Sequence, residues 1–197
     1  EGDNVNLRIY GNDITANDGY SALAMAPHLA GPAYVFRNVF RVTAGYGGYA
    51  FKLESSPGFT FYIHNTIDSG QNNDGWEYPG PNQYLYNNII KTAVNPLYSP
   101  DAAGKYNGNL YFRPDGGPIV RKWNGGPDYY TVTAFRSATG QEQQGRQGNP
   151  AFIDAAKRIT SSSPAFDAGI VIPNFNDVSS AWPYNGVAPE IGAHEVP

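Results

Sequence analysis

Two stretches decide the fold of this chain, YVFRNVF at residues 34–40 and FYIHNTI at residues 61–67. In each, an apolar stretch leads to an Asn, and an apolar residue follows two places after it. Three more stretches share the pattern: LRIYGNDI at 7–14, LYNNII at 85–90 and YNGNLYF at 106–112. Successive Asn residues are 26, 27, 23 and 21 positions apart. This period of short strands predicts a right-handed parallel β-helix, in which each rung buries its inward side chains by stacking on the next.

The recurring Asn has a structural explanation. Asn tolerates the left-handed backbone conformation that a sharp bend requires, and stacked Asn amides can hydrogen-bond from rung to rung. A side chain held in such a ladder is not available to a substrate. We therefore expect an internal ladder formed by Asn12, Asn38, Asn65, Asn88 and Asn109.

The composition supports an all-β fold. Hydrophobic residues make up 41% of the 197 residues and charged residues only 15%, while 23 Gly and 15 Tyr are present. Tyr, Phe, Val and Thr favour strands, and Gly and Asn favour tight turns, whereas long helices need more Ala, Leu, Glu and Lys. The length predicts a single domain.

Charge and residue usage exclude several classes of function. The net charge is −4 and the basic residues are scattered, which predicts neither a nucleic-acid partner nor a membrane surface. No apolar run reaches the roughly 18 residues that a membrane-spanning helix needs. The absence of Cys excludes disulfides and thiol catalysis.

The repeat fades after about residue 112. Residues 1–112 are predicted to form the rungs, and residues 113–197 an irregular last rung, one short helix and a tail packed on the coil, all within one domain. The helix is predicted over TVTAFRSATG, with Thr131 as its N-cap and Gly140 as its C-terminal stop. We expect the Pro-rich tail to return along the outside of the coil, because a β-helix has exposed strand edges to cover.

The chain resembles secreted bacterial right-handed parallel β-helix proteins, relatives in fold of pectate lyases, alginate lyases and alginate epimerases. The matching stretches are EGDNVNLRIYGNDIT, GPAYVFRNVF, FKLESSPGFTFYIHNTI, KWNGGPDYYTVTAFRSATGQE, NPAFIDAA, SPAFDAG and PEIGAHE. The resemblance implies a secreted or cell-surface protein that meets a polysaccharide. It also implies that this chain is the later part of a longer β-helix, so that its own N-terminal rungs become a possible partner.

The rung alignment places charged residues in two columns beside the Asn ladder. Arg37 and His64 precede the ladder Asn in successive rungs and should stack on each other. Arg41, Asp68 and Lys91 stand three residues after it. Adjacent strands lie about 4.8 Å apart, so the side chains of a column are within contact range.

The functional interpretation is a groove for an acidic polysaccharide. Arg and Lys would pair with uronate carboxylates while a base removes the neighbouring proton, and the resemblance implies Arg or Lys in such roles. His64 can also exchange protons near neutral pH, with Arg37 lowering its pKa. An outward Lys52 adds a further charge. The catalytic candidates are His64, Arg37, Lys52, Arg41 and Asp68; the alternative is an exposed charge ladder worth little energy.

The loop DSGQNNDGWEY at 68–78 is the second candidate site. It combines carboxylates with aromatic rings, which suits sugar recognition. Asp74 and Glu77 would also serve a glycosidase if they stood about 5 to 10 Å apart. The alternative is a solvated loop with one aromatic ring packed down. The substrate-binding candidates are Trp76, Asp74, Glu77, Tyr78 and Lys91.

No metal site is predicted, because the loop lacks the spacing of known Ca²⁺ motifs, and Ca²⁺ is the one cofactor that its Asn and Asp residues suggest. The first functional hypothesis is therefore a lyase or hydrolase acting on an acidic extracellular polysaccharide. The rival hypotheses are a non-catalytic glycan-binding module and a purely structural β-helix segment.

Overall fold

The chain folds into a parallel β-helix, as the repeat predicts. The computed structural model describes residues 5–17, 21–25, 31–43, 48–52, 58–70 and 74–196. Within these ranges all strands of the named sheets pair in parallel, and each strand inside a sheet pairs with the strands one rung before and after it. The coil therefore presents three flat faces, one for each sheet.

The first sheet contains β1 (Leu7–Tyr10), β4 (Ala33–Phe36), β7 (Thr60–Ile63), β10 (Gln83–Tyr86) and β13 (Lys105–Asn107). The second sheet contains β2 (Asp13–Ala16), β5 (Val39–Val42), β8 (Thr66–Ser69), β11 (Ile89–Thr92), β14 (Leu110–Phe112) and β16 (Arg146–Gln147). The third sheet contains β3 (Ser21–Ala24), β6 (Tyr49–Lys52), β9 (Asp74–Glu77), β12 (Leu97–Tyr98) and β15 (Val120–Arg121).

The core is a stack of large side chains that point inward from all three sheets. Phe51 and Trp76 stack face to face with ring centroids 4.4 Å apart, and Phe40 and Tyr62 meet the Phe51 ring edge-on. All four side chains are fully buried. Full burial of one such side chain contributes about 2–3 kcal/mol, so the rungs stabilise one another along the axis.

The Asn ladder between the first two sheets is confirmed. In the first four rungs the backbone N–H and the side-chain Nδ2 of the Asn donate to Oδ1 of the Asn in the next rung, at 2.9–3.2 Å. The predicted backbone role of the Asn is wrong, however. The residue just before each ladder Asn adopts the left-handed conformation, with φ between 52° and 69° at Gly11, Arg37, His64, Asn87 and Gly108.

Among the described residues, one α-helix closes the C-terminal end of the coil. It runs over Val132–Thr139 (α1), with the Thr131 side chain accepting from Ala134 N–H and with Gly140 left-handed at its end, as predicted. Phe135 is fully buried and contacts the ring of Trp123 at 4.9 Å. The helix thus covers the last core layer.

The tail after the helix packs along the outside of the second sheet. Its Ile159 and Ile191 form an apolar cluster with the outward side chains Ile89 and Leu110. The backbone N–H of Ala193 donates to Oγ1 of Thr66 at 2.9 Å. The tail therefore covers one flank of the coil, whereas α1 covers its end.

Candidate functional site

The column of Arg41, Asp68 and Lys91 is in register on the second sheet, as predicted. The tail lies across it. Asp68 accepts from Lys91 at 3.0 Å and from the tail residue Lys157 at 2.5 Å, and burial of this carboxyl is outweighed by these two ammonium groups, so its pKa is lowered. Arg41 pairs with Asp13 at 2.9 Å. The column thus fastens the tail to the coil.

Arg37 and His64 also lie under the tail, so the expected open position of this pair is wrong. His64 is fully buried, and its Nε2 accepts from the side-chain amides of Asn87 at 3.0 Å and Asn176 at 2.7 Å. Burial, with the charge of Arg37 second, lowers the pKa of His64 to about 3. Arg37 itself donates to Glu195 of the tail at 3.2 Å. His64 is therefore neutral and held between two amides.

The expected loop at 68–78 contains the end of β8 and the whole of β9, and residues 71–73 lie outside the described residues. Trp76 faces the core with no exposed surface, so the prediction that its ring stacks on a sugar is wrong. Asp74 Oδ1 accepts from the backbone and side-chain nitrogens of Asn95 at 2.9 and 2.8 Å, and burial raises its pKa. Glu77 is buried and bonded to Tyr49. Tyr78 remains 39% exposed.

The structure brings charged and aromatic side chains together on the outward face of the third sheet. Lys52 is in register with Glu77, Glu77 with Tyr98, and Tyr98 with Arg121. Their neighbours in each strand point into the core, so these side chains point away from it. Lys122 follows Arg121. We call Lys52, Glu77, Tyr98, Arg121 and Lys122 the third-sheet cluster.

Tyr98 is the centre of the third-sheet cluster. Its hydroxyl accepts from Lys122 Nζ at 3.0 Å, and both Lys122 and Arg121 lie over its ring, at 5.3 and 5.9 Å from the centroid. Tyr78 meets the same ring edge-on at 5.4 Å. Arg121 and Lys122 are exposed. Two cations are thus held beside two aromatic rings on an accessible surface.

The first sheet carries a different surface, an aromatic stack. Tyr34, Phe61 and Tyr84 follow one another at 5.3 and 4.7 Å between ring centroids, with Arg8 and Lys105 in register at the two ends. The rings cover each other's faces, so mainly their edges meet solvent. A sugar ring stacks on an exposed aromatic face, and this surface therefore suits it less well than the third-sheet cluster.

A groove of about 410 Å³ separates this aromatic stack from the tail. Trp182 of the tail contacts Tyr10 and Phe36 edge-on at 5.5 and 5.3 Å. These rings dock the tail on the coil. The groove is consequently apolar, with Arg8 as the charged residue in its lining.

Sequence reasoning missed Tyr98, Arg121 and Lys122. Tyr98 and Arg121 lie in strands two residues long, outside the Asn-centred stretches, and Lys122 follows the second of these strands. The signal that could have found them is the column through Lys52 and Glu77, extended by two rungs. Another missed residue is the fully buried Glu142, which accepts the last bonds of the Asn ladder.

Comparison with known proteins gives no relative: no family model, no curated protein and no solved structure matches this chain. Among the residues that the structure describes, no group of three or more His, Asp or Glu side chains is placed to hold a metal ion. The Ca²⁺ expectation stays a prediction. In the same ranges, no helix is long and apolar enough to cross a membrane.

Proposed function

We propose that this chain is the polysaccharide-contacting part of a secreted, pectate-lyase-like bacterial β-helix protein, and that it binds an acidic polysaccharide at the third-sheet cluster. The observation that carries the proposal is the pair of exposed cations, Arg121 and Lys122, fixed beside Tyr98. The sequence resemblance supports the secreted and bacterial parts of the proposal. Binding is the primary function proposed here, and catalysis is the second candidate.

The chemistry of the third-sheet cluster suits an anionic sugar. A guanidinium group pairs with a planar carboxylate through two parallel hydrogen bonds, and an ammonium group adds a second, compact charge. Tyr78, with 39% of its surface exposed, offers an apolar ring beside the two cations. A uronate residue would place its carboxylate on Arg121 and Lys122 and its ring near Tyr78.

The charged residues of the other two columns are less available to a substrate than the third-sheet cluster. Asp68 is engaged by Lys91 and Lys157, and His64 is buried between two amides. Groups that hold the tail in place would have to be uncovered before they could touch a substrate. The catalytic roles of Asp68 and His64 therefore remain predictions, because the tail lies between these side chains and a substrate.

One observation favours a lyase as the second candidate. The Tyr98 hydroxyl lies 3.0 Å from Lys122 Nζ, on the surface where the two exposed cations would hold a uronate carboxylate. In a β-elimination, the Tyr98 oxygen would take the proton next to the uronate carboxylate. The electron pair would form a double bond, and the glycosidic oxygen would leave.

The test is binding of the folded chain to polygalacturonate and alginate, with a neutral glucan for comparison, by isothermal titration calorimetry. The double variant Arg121→Gln/Lys122→Gln removes both cations and keeps most of the side-chain volume. We expect at least a tenfold loss of affinity for the acidic polymers. The matched control is Arg158→Gln, which removes an exposed cation from the tail.

Two results would overturn the proposal: no binding to any acidic polymer, or equal affinity of the double variant and the unaltered chain. Ultraviolet absorbance of unsaturated uronic ends, followed in the same samples, tests the second candidate. Unsaturated ends that disappear in Tyr98→Phe would establish a lyase. Their absence from every polymer, with binding retained, would leave binding as the function.

A further inference from the structure

The two ends of the coil are finished differently. At the C-terminal end Phe135 covers the core, and both carboxylate oxygens of Glu142 accept from Asn109, at 2.6 Å from its Nδ2 and 3.1 Å from its backbone N–H. The two carboxyl oxygens therefore take both donors of the last ladder Asn. This end is therefore closed both to apolar contact and to hydrogen bonding.

At the N-terminal end the inward side chains of the first rung are less covered than those below them. Each is partly exposed, whereas its register partner in the second rung is fully buried. The pairs are Leu7 with Ala33, Ile9 with Val35, Ile14 with Phe40 and Leu23 with Phe51. An apolar layer with one face covered loses part of the stabilisation that burial gives to every later rung.

The Asn ladder shows the same asymmetry. Asn12 donates to Asn38 through its backbone N–H at 3.0 Å and its Nδ2 at 2.9 Å. Oδ1 of each later ladder Asn accepts two hydrogen bonds from the rung before it. Among the described residues, none donates to Oδ1 of Asn12. The first rung thus offers an acceptor where a preceding rung would supply two donors.

In the part of the chain that the structure describes, the N-terminal end of the coil also has unpaired strand edges. β1, β2 and β3 are each the first strand of their sheet, and each pairs with one neighbour within the described residues. An unpaired parallel edge is a template for a further strand. The three edges, the partly exposed layer and Oδ1 of Asn12 lie at the same end of the coil.

We infer that this end is an interface for one more rung of the same parallel β-helix, supplied by polypeptide that precedes these residues and carrying a donor such as Asn at its bend. A second copy of the chain fits less well. Stacked head to head, two copies would set the acceptors of two Asn12 side chains against each other. Stacked head to tail, they would meet the end closed by Phe135 and Glu142.

The register of the rungs gives a direct test. Leu7, Ala33 and Thr60 occupy equivalent positions, so a copy of residues 33–59 joined to Leu7 would continue the coil without a shift. In this extended chain we expect backbone amides of β1, β2 and β3 to exchange with solvent at least tenfold more slowly than in the 197-residue chain. The matched control has Ala in place of the Asn38 copy, and it should retain only part of this protection.

Unchanged exchange in all three strands, with the added residues exchanging freely, would overturn the inference. Sedimentation of the 197-residue chain tests the rival occupant. A monomer at all concentrations supports the inference. A dimer that Ile9→Lys dissociates, but that Val178→Lys at an exposed tail position does not, would overturn it in favour of a second copy.

Discussion

Glu142 accepts the last hydrogen bonds of the Asn ladder from Asn109, 33 residues before it in sequence. Oε1 of the same carboxyl also accepts from the hydroxyl of Tyr111 at 2.6 Å, and Arg136 of α1 donates to the backbone oxygen of Glu142 at 2.7 Å. The helix that covers the core thus also holds the residue that ends the ladder. Closure of the core and of the ladder is therefore coupled through one short segment.

A break in the middle of the ladder should be costly. In Asn65→Ala the backbone N–H of Asn38 loses its acceptor, and Oδ1 of Asn88 keeps only the backbone donor of residue 65, all inside a fully buried layer. Unsatisfied buried polar groups cost about 1–3 kcal/mol each, so we expect the free energy of unfolding to fall by about 2–4 kcal/mol. Urea denaturation measures it.

The control for this variant is Asn185→Ala, because Asn185 is exposed and makes no side-chain hydrogen bond to a described residue. It should change stability by less than about 0.5 kcal/mol. Equal effects of the two substitutions would show that the ladder contributes nothing beyond an ordinary surface Asn.

Because of Glu142, the free energy of unfolding should fall as the pH rises from about 4.5 through about 7. Burial, which outweighs the hydrogen bonds from Tyr111 and Asn109, raises the pKa of Glu142 to about 7 from 4.5. The folded state then binds the proton more tightly than the unfolded state. Its contribution is complete below about pH 4.5 and is lost as the pH rises through about 7.

We expect Glu142→Gln, which does not titrate, to remove this loss between pH 5 and 8, measured as the difference in unfolding free energy from the unaltered chain. Asp115→Asn is the control, since a hydrogen bond from Arg113 holds the pKa of this exposed carboxyl at about 2. A constant difference between Glu142→Gln and the unaltered chain across this range would contradict the assigned pKa.

The repeat allowed most of the fold to be predicted from sequence. The Asn positions fix the bends, and alternation fixes which side chains point inward, so the column of Arg41, Asp68 and Lys91 could be placed in register. The helix was predictable because Thr131 and Gly140 have local capping chemistry. These features depend on neighbours in sequence or on the rung period.

The features that could not be predicted depend on contacts between segments that the rung repeat does not relate. The tail covers His64 and Asp68 through residues more than 80 positions away, and no repeat relates the two segments. The strand at Asp74–Glu77 was hidden because its polar residues resemble a loop. Tyr98 and Arg121 fall in rungs where the strands are shortest.

Trp76 provides a test that separates core packing from glycan binding. Its ring is fully buried against Phe51 and Tyr62. Removal of a large buried side chain costs about 3–5 kcal/mol, so Trp76→Ala should lower the free energy of unfolding by that amount. Tyr78→Ala, at an exposed ring, should leave stability nearly unchanged and weaken binding of acidic polysaccharide. A stable Trp76→Ala variant would contradict the core position of this ring.

His64 should make the protein less stable in mild acid. Burial and the charge of Arg37 lower its pKa from 6.5 to about 3. Between these two pH values the unfolded state binds a proton at this residue and the folded state does not. The contribution of neutral His64 is complete above about pH 6.5 and is lost progressively as the pH falls toward 3. In His64→Asn this loss should disappear, and Asn tolerates the φ of 53° at this position.

The measurement is urea denaturation of the unaltered chain and His64→Asn at pH 5 and pH 7.5, and the quantity compared is their difference in unfolding free energy. Because Glu142 titrates with the opposite sign in an overlapping range, the unaltered chain alone would not isolate His64. The control is His194→Asn, at the tail position where Nε2 contacts the backbone oxygen of Ala156 at 2.9 Å. If the difference for His64→Asn is the same at both pH values, His64 is accessible to protons in the folded state, and the tail does not seal it.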